Sequence, residues 1–269
     1  MAKPIIALLS DFGTRDHYSG ALKGVILSLC PDAVLVDISH DIPPHDILTG
    51  AIELAACYRF YPAGTIFLAV VDPGVGSARL GIAAEAGDYF FVAPDNGVLT
   101  AVLAETPPKR VVSLTERRYA RPTISRTFEG RDRFAPAAAW LGRGAAVKAL
   151  GTTVRDFVRI EIPQARQDGD TISGQVLRVD RFGNLVTNIP RAMVDRLSER
   201  GPIRITIGGN PVEALVETYA GMAPGAVCAL FGSSDHLEVA EYGGRASDRL
   251  GLAVGAPVEV ARASEPVLG

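Results

Sequence analysis

The chain has 269 residues, enough for one large domain or two modest ones. Its composition, 48% hydrophobic and 21% charged, is that of an ordinary soluble globular protein. A net charge of -3 gives no electrostatic case for nucleic acid or an anionic membrane, and no apolar run is long enough to span a bilayer.

Residues 4–10 (PIIALLS) form an apolar run that ends at a turn and predict a buried strand. The run lacks a small-residue cleavage site and passes directly into DFGT, so it reads as a strand and not a signal peptide. Residues 17–29 carry apolar side chains at helical spacing and stop before Pro31. Residues 33–39 predict a second strand, 46–60 a second helix, 64–72 a third strand and 89–94 a later one. Strands alternating with helices predict an α/β N-terminal domain over residues 1–162, built on a mostly parallel sheet. The Ala-rich segment from Ala135 reads as a buried helix. The polar stretch near 163–170 reads as a linker. Beyond it, short runs of alternating apolar and polar residues, with one helix candidate at 191–200, predict a small, mostly antiparallel β domain over residues 171–269. Cys30, Cys57 and Cys228 are scattered with no CxxC, which fits a reduced, cytoplasmic protein.

Ligands of open parallel α/β sheets bind beyond the carboxyl ends of the strands. Two predicted strands end there in an aspartate, Asp11 and Asp72, and Asp37 lies close to the end of a third. Such residues either cap the following turn or present a carboxylate to a ligand, for example to a ribose diol. The Gly74-x-Gly76 pair is not followed by a helix pattern, so it predicts a tight turn or a close backbone approach and not a dinucleotide fingerprint. His40, Asp41, His45 and Asp46 cluster around Pro43 and Pro44. A turn with Asp46 as helix N-cap and a metal site are both open there, the turn being the simpler reading. In RVDRFGNLVTNIP, Asp180 precedes Phe182, Gly183 and Asn184, a bulged hairpin or a binding turn. TFEGRDRFAP, residues 127–136, packs Glu129, Arg131, Asp132 and Arg133 between Phe128 and Phe134. Charges this dense usually form a solvated face, yet these sit between apolar residues.

Six segments, LLSDFGTRDHYSGALKGVI, VDISHDIPPHDI, FLAVVDPGVGSAR, VAPDNGVLT, TFEGRDRFAP and VDRFGNLVTNI, occur in this order. Together they resemble the S-adenosylmethionine (SAM) hydrolases, also called SAM hydroxide adenosyltransferases, relatives of the SAM-dependent fluorinase and chlorinase. The resemblance spans about residues 4 to 262. It implies a β-barrel-like C-terminal domain and a homotrimer whose active sites are shared by neighbouring subunits. It also implies SAM as substrate, adenosine as a product, and neither cofactor nor metal. By position, Asp11 corresponds to the holder of the ribose hydroxyls, and Asp72 and Arg79 to two members of the set that places the attacking water. Asp16 and Tyr18 fall at the methionine end, and Phe128 beside the adenosyl group. Asp180 corresponds to the partner of the methionine ammonium and Ser233 to a contact of its carboxylate. Asn184 and the backbone near Gly243 correspond to the adenine readers, and Glu241 stands near the adenine edge.

Two positions depart from the family pattern. Glu129 stands where the hydrolases carry His in TFHGRD, and Ser234 stands where the halogenases carry Arg. Two readings of Glu129 are open: it accepts a hydrogen bond from the attacking water, or it only pairs with Arg79 and leaves a slow or non-catalytic SAM or adenosine binder. Asp72 and Glu129 with one arginine give a local charge near -1. Like charges about 4 Å apart repel by about 4 kcal/mol at an effective dielectric of 20, which disfavours a halide nucleophile and leaves water acceptable.

Overall fold

The computed structural model describes residues 3–263. Residues 264–269, the end of the expected second domain, lie outside the described residues. The chain divides into two compact units between Ile162 and Pro163.

The first unit contains β1 (Ile5–Ser10), α1 (Tyr18–Leu29), β2 (Val34–Ser39), α2 (Ile47–Cys57), β3 (Ile66–Val70), β4 (Gly81–Ala86), β5 (Tyr89–Pro94), α3 (Thr100–Glu105), β6 (Pro108–Ser113) and α4 (Ala135–Gly142). Its six strands lie in the order β2-β1-β3-β5-β4-β6. The sheet is mixed: the mostly parallel expectation holds for every strand but β4, which runs against its neighbours. Pairing is parallel from β2 through β1 and β3 to β5, then antiparallel from β5 to β4 and from β4 to β6. The reversal has a local cause. Gly87, at φ 54°, and Asp88 join β4 to β5, and so short a connection admits only antiparallel pairing.

Successive strand residues point to opposite faces. Ile6, Leu8, Ile66 and Leu68 pack with Leu22 and Ile26 of α1 and the alanines of α4. Ala7, Leu9, Phe67 and Ala69 pack on the other face with Leu54 of α2 and Val102 of α3. Burial on both faces is why these strands read as unbroken apolar runs. It also leaves the carboxyl ends of β1 and β3 as the places where polar side chains can emerge.

The second unit contains β7 (Arg166–Asp168), β8 (Thr171–Val179), β9 (Leu185–Pro190), α5 (Arg191–Ser198), β10 (Ile203–Ile207), β11 (Asn210–Pro211), β12 (Val227–Phe231), β13 (His236–Glu241), α6 (Ala246–Leu250) and β14 (Pro257–Arg262). The expected linker therefore holds a strand, β7, which pairs with β8. The sheet is antiparallel, in the order β11-β10-β14-β8-β9-β13-β12, and curls into a half barrel. The curl runs through β8, whose first half pairs with β14 and whose second half pairs with β9. Gly174 lies in the first half; a Cβ there would stand 2.4 Å from Asn188 Oδ1 and 2.5 Å from Ile189 Cγ1, so only glycine lets the strands approach. Among the described residues no helix is long and apolar enough to cross a membrane.

Candidate active site

Asp72 follows β3 directly after Val71, whose carbonyl accepts a hydrogen bond from Asn96 Nδ2 at 2.7 Å. The chain then turns through Pro73–Ser77, with Val75 N donating to Asp72 O at 3.2 Å and Ser77 N to Gly74 O at 3.1 Å. Gly76 has φ 78°, and a Cβ on it would lie 2.3 Å from the Arg126 carbonyl oxygen. The expected close backbone approach is thus observed, against the chain just before Phe128. The turn returns Arg79 to Asp72. Arg79 Nε donates to Asp72 Oδ1 at 2.8 Å and Nη2 to Asp72 Oδ2, a fork-on-fork pair. Arg79 Nη1 lies 2.9 Å from Glu129 Oε2, and the guanidinium covers the Phe134 ring with its centre 5.2 Å from the ring centroid. All three charged side chains are largely buried, at 5% exposure for Asp72, 10% for Arg79 and 13% for Glu129.

Burial raises the Asp72 carboxyl above the ordinary aspartate range, against the hydrogen bonds and charge of Arg79, and the charges of Glu129 and Asp11 raise it further. Burial works against the charge on Arg79, but the two carboxylates outweigh it and the guanidinium stays firmly protonated. A carboxylate lifted in this way is a better proton acceptor near neutrality than a free one.

Glu129 opens a π-helical turn, Gly130–Phe134, that leads into α4. Pro136 has no N–H to give to the Asp132 carbonyl, which instead accepts from Arg121 N at 2.8 Å. The ladder widens there, and Ala135 N reaches Gly130 O. Asp132 is 1% exposed; it accepts from Ser125 N at 2.8 Å and from Arg131 Nε at 2.7 Å. Arg131 and Asp132 therefore build the turn, while Glu129 faces Arg79. Arg133 adds a cation that counting from the sequence missed: its Nε lies 3.7 Å from Glu129 Oε2. Asp72, Glu129, Arg79 and Arg133 sum to zero formal charge, the value of -1 expected above having counted only the first three.

Phe128 is 8% exposed and meets Phe12 edge-on at 5.9 Å and Tyr18 at 5.2 Å, forming an aromatic wall. Asp11 Oδ2 accepts from His45 N at 2.9 Å, which ties the loop after β1 to the loop after β2. Asp11 is close enough to Asp72 for its charge to be felt there. Asp16 is exposed on the loop before α1 and joins none of these contacts. The histidine–aspartate cluster is absorbed structurally. Asp46 caps α2 through Thr49 N at 2.9 Å, and His40 bridges Ser10 at 2.7 Å and Asp37 at 3.1 Å. Among the described residues, no three His, Cys, Asp or Glu side chains are grouped to hold a metal ion.

In the second unit Asp180 lies just past β8. Its Oδ1 accepts from Phe182 N and Asn184 N, each at 2.9 Å, and its Oδ2 accepts from Asn184 Nδ2 at 2.9 Å. Asp180 and Asn184 are thus brought together, with Gly183 at φ 84° between them and Phe182 73% exposed at the tip. Glu241 ends β13 and is followed by Gly243 at φ 78°; the Glu241 carboxylate crowds the place a Cβ on Gly244 would take. Ser233 lies at the other end of β13, exposed in the turn that enters it. That turn rests on a residue with no mark in the sequence, Glu238. It is 5% exposed, and its Oε1 stands 1.7 Å from where a Gly232 Cβ would be. Burial raises the Glu238 carboxyl, a hydrogen bond from Tyr219 Oη at 3.1 Å lowers it, and the charge of Asp180 raises it again.

The chain is similar to known proteins over nearly its whole length. The profile of the SAM hydroxide adenosyltransferase N-terminal domain matches residues 6–151, and that of the C-terminal domain matches residues 174–259. An (R)-S-adenosyl-L-methionine hydrolase of Salinispora tropica is 38% identical over 255 residues, covering 94% of this chain and 95% of the relative. One from Thermus thermophilus is 38% identical over 263 residues, covering 95% and 98%. The crystal structure of an uncharacterized conserved protein from Thermotoga maritima superposes with a TM-score of 0.91 at 32% identity, covering 96% of this chain and 100% of that one. With both of its domain profiles matched in order, the chain belongs to the SAM hydroxide adenosyltransferase family.

Proposed function

We propose that the protein hydrolyses SAM to adenosine and L-methionine by attack of water on the ribose C5′. The observation that carries this reading is the single guanidinium of Arg79 aligning two buried carboxylates, Asp72 and Glu129. In the step, the water oxygen bonds to C5′, the C5′–S bond breaks, and its electron pair leaves on sulfur. The sulfonium departs as a neutral thioether, so no general acid is needed. The water gives up one proton, and Asp72 is the better placed acceptor because burial has raised it. Positive charge on sulfur is lost in the transition state, so the apolar aromatic wall of Phe12, Tyr18 and Phe128 favours the transition state over the ground state. No cofactor enters; SAM is the substrate.

In this reading Asp11 holds the ribose hydroxyls, and Asp16 and Tyr18 meet the methionine end. Asp180 takes the ammonium, Ser233 the carboxylate, and Asn184, Glu241 and the Gly243 backbone read adenine. The relatives' name supports the (R)-sulfonium epimer as preferred substrate. A halide nucleophile is disfavoured because the four charges sum to zero and the nearby Asp11 adds a negative one, so there is no net pull on an anion. A homotrimer and a cytoplasmic location go with the proposal, and light scattering tests the first.

A second reading, a slow or non-catalytic SAM or adenosine binder, draws on the engagement of Glu129 Oε2 by arginine. Incubating pure protein with each sulfonium epimer and separating the products decides between them. Adenosine and methionine in equal amounts support hydrolysis; tight adenosine binding with no product sinks it.

A further inference from the structure

Arg133 has an unusual setting. Its stem passes over Gly81, where a Cβ would lie 3.2 Å from Arg133 Cδ, and its Nη1 donates to Leu114 O at 2.9 Å. Its Nε is buried and has no hydrogen-bond partner, and it lies 3.7 Å from Glu129 Oε2. That is too long for a hydrogen bond and close enough for an ion pair. A buried guanidinium N–H left unpaired has a desolvation cost, so its position calls for an account. Glu129 supplies one. Its Oε2 is within ion-pair range of two guanidiniums, Arg79 at 2.9 Å and Arg133 at 3.7 Å. Among the described residues its Oε1 makes no protein hydrogen bond, and the side chain as a whole keeps 13% exposure.

We propose that Arg133 is a positioning residue for Glu129. With Arg79 it holds one carboxylate oxygen and leaves Oε1 to accept a hydrogen bond from the attacking water. It also supplies the second positive charge that lets a glutamate stand near Asp72, so that Arg79 keeps its two bonds to Asp72. The inference rests on the hydrolase reading above.

The test is a cycle on the full-length protein: Arg133→Met and Arg133→Lys, each made in the unaltered chain and in the Glu129→Gln background. Arg133→Met should lower kcat about tenfold in the unaltered chain, the usual size of a coupling within one charge network, and leave KM within about threefold. In the Glu129→Gln background the same change should move kcat by less than about twofold, since the charge it answers is gone. Arg133→Lys should retain most of the activity. A role confined to packing over Gly81 and bonding Leu114 would cost both backgrounds equally, and that result overturns the proposal, as does no effect in either. If the unaltered chain releases no adenosine, the hydrolase reading fails by itself. Urea midpoints for the same variants then serve: a loss confined to the Glu129 background sustains the hold of Arg133 on Glu129, and equal losses refute it.

Discussion

Replacing Glu129 with glutamine changes one formal charge and little else, so its effects can be worked out. In the native site Asp72 and Glu129 balance Arg79 and Arg133; in Glu129→Gln the sum becomes +1. A unit charge at about 4 Å is worth about 4 kcal/mol at an effective dielectric of 20. Glu129 is not sealed, with 13% of its side chain exposed. Halving the figure for solvent screening leaves about 2 kcal/mol, or about 30-fold in anion affinity. Chloride should therefore inhibit Glu129→Gln at about 30-fold lower concentration than it inhibits the native protein. The assay is adenosine release from SAM in sodium chloride against sodium gluconate at fixed ionic strength. The variant should also lose about 10²-fold in kcat if Glu129 helps accept the proton of the water. Identical chloride responses would falsify the electrostatic account, and an undiminished kcat would remove the base role.

Asp72→Asn leaves the buried Arg79 with one carboxylate and should lower kcat by about 10²–10⁴-fold in the same assay. Because burial raises Asp72, the acid limb of the native rate profile should fall above the ordinary aspartate range and flatten in that variant. Phe128→Ala removes a buried ring that touches Phe12 and Tyr18 and should cost about 3 kcal/mol in urea unfolding, with a higher KM for SAM. Gly76→Ala forces a side chain into the left-handed region against the Arg126 carbonyl; a loss of about 2 kcal/mol or more in the same unfolding assay is expected. Glu238 is raised in the folded state, so its share of stability is present below the unfolded-state value and is lost as pH rises through the folded one. Glu238→Gln should therefore be more stable than the native protein at pH 7, with the gap closing in acid; a gap that widens in acid would contradict the burial argument.

The buried strands were legible because burial on both faces leaves an unbroken apolar run, as in β1 and β3. The antiparallel edge was less so. Its signal, Gly87 and Asp88 between two apolar segments, is short and was outweighed by the strand–helix alternation before it. Asp72 was legible as a strand-end carboxylate, but its grouping with Arg79 and Glu129 only through the family motifs, since nothing in the spacing says that a turn at Gly76 folds Arg79 back onto Asp72. Arg133 escaped because arginine in a dense charge run carries no mark of which carboxylate it will face. Glu238 escaped because alternation along β13 reads HLEVAE as strand without telling which polar side chain turns inward. Asp180 and Asn184 were both singled out, but their mutual hydrogen bond was not, because it depends on the left-handed Gly183 between them.

The widened turn at Gly130–Phe134 sets a length condition on the chain. Removing one residue from it would turn everything before the deletion by about 100° about the helix axis. Glu129 would swing off Arg79 while α4 stayed packed in its place. Insertions and deletions are usually tolerated in loops and resisted in cores. Here a single-residue deletion at the mouth of a well-packed helix should abolish catalysis and, because it also displaces the buried Phe128, lower stability.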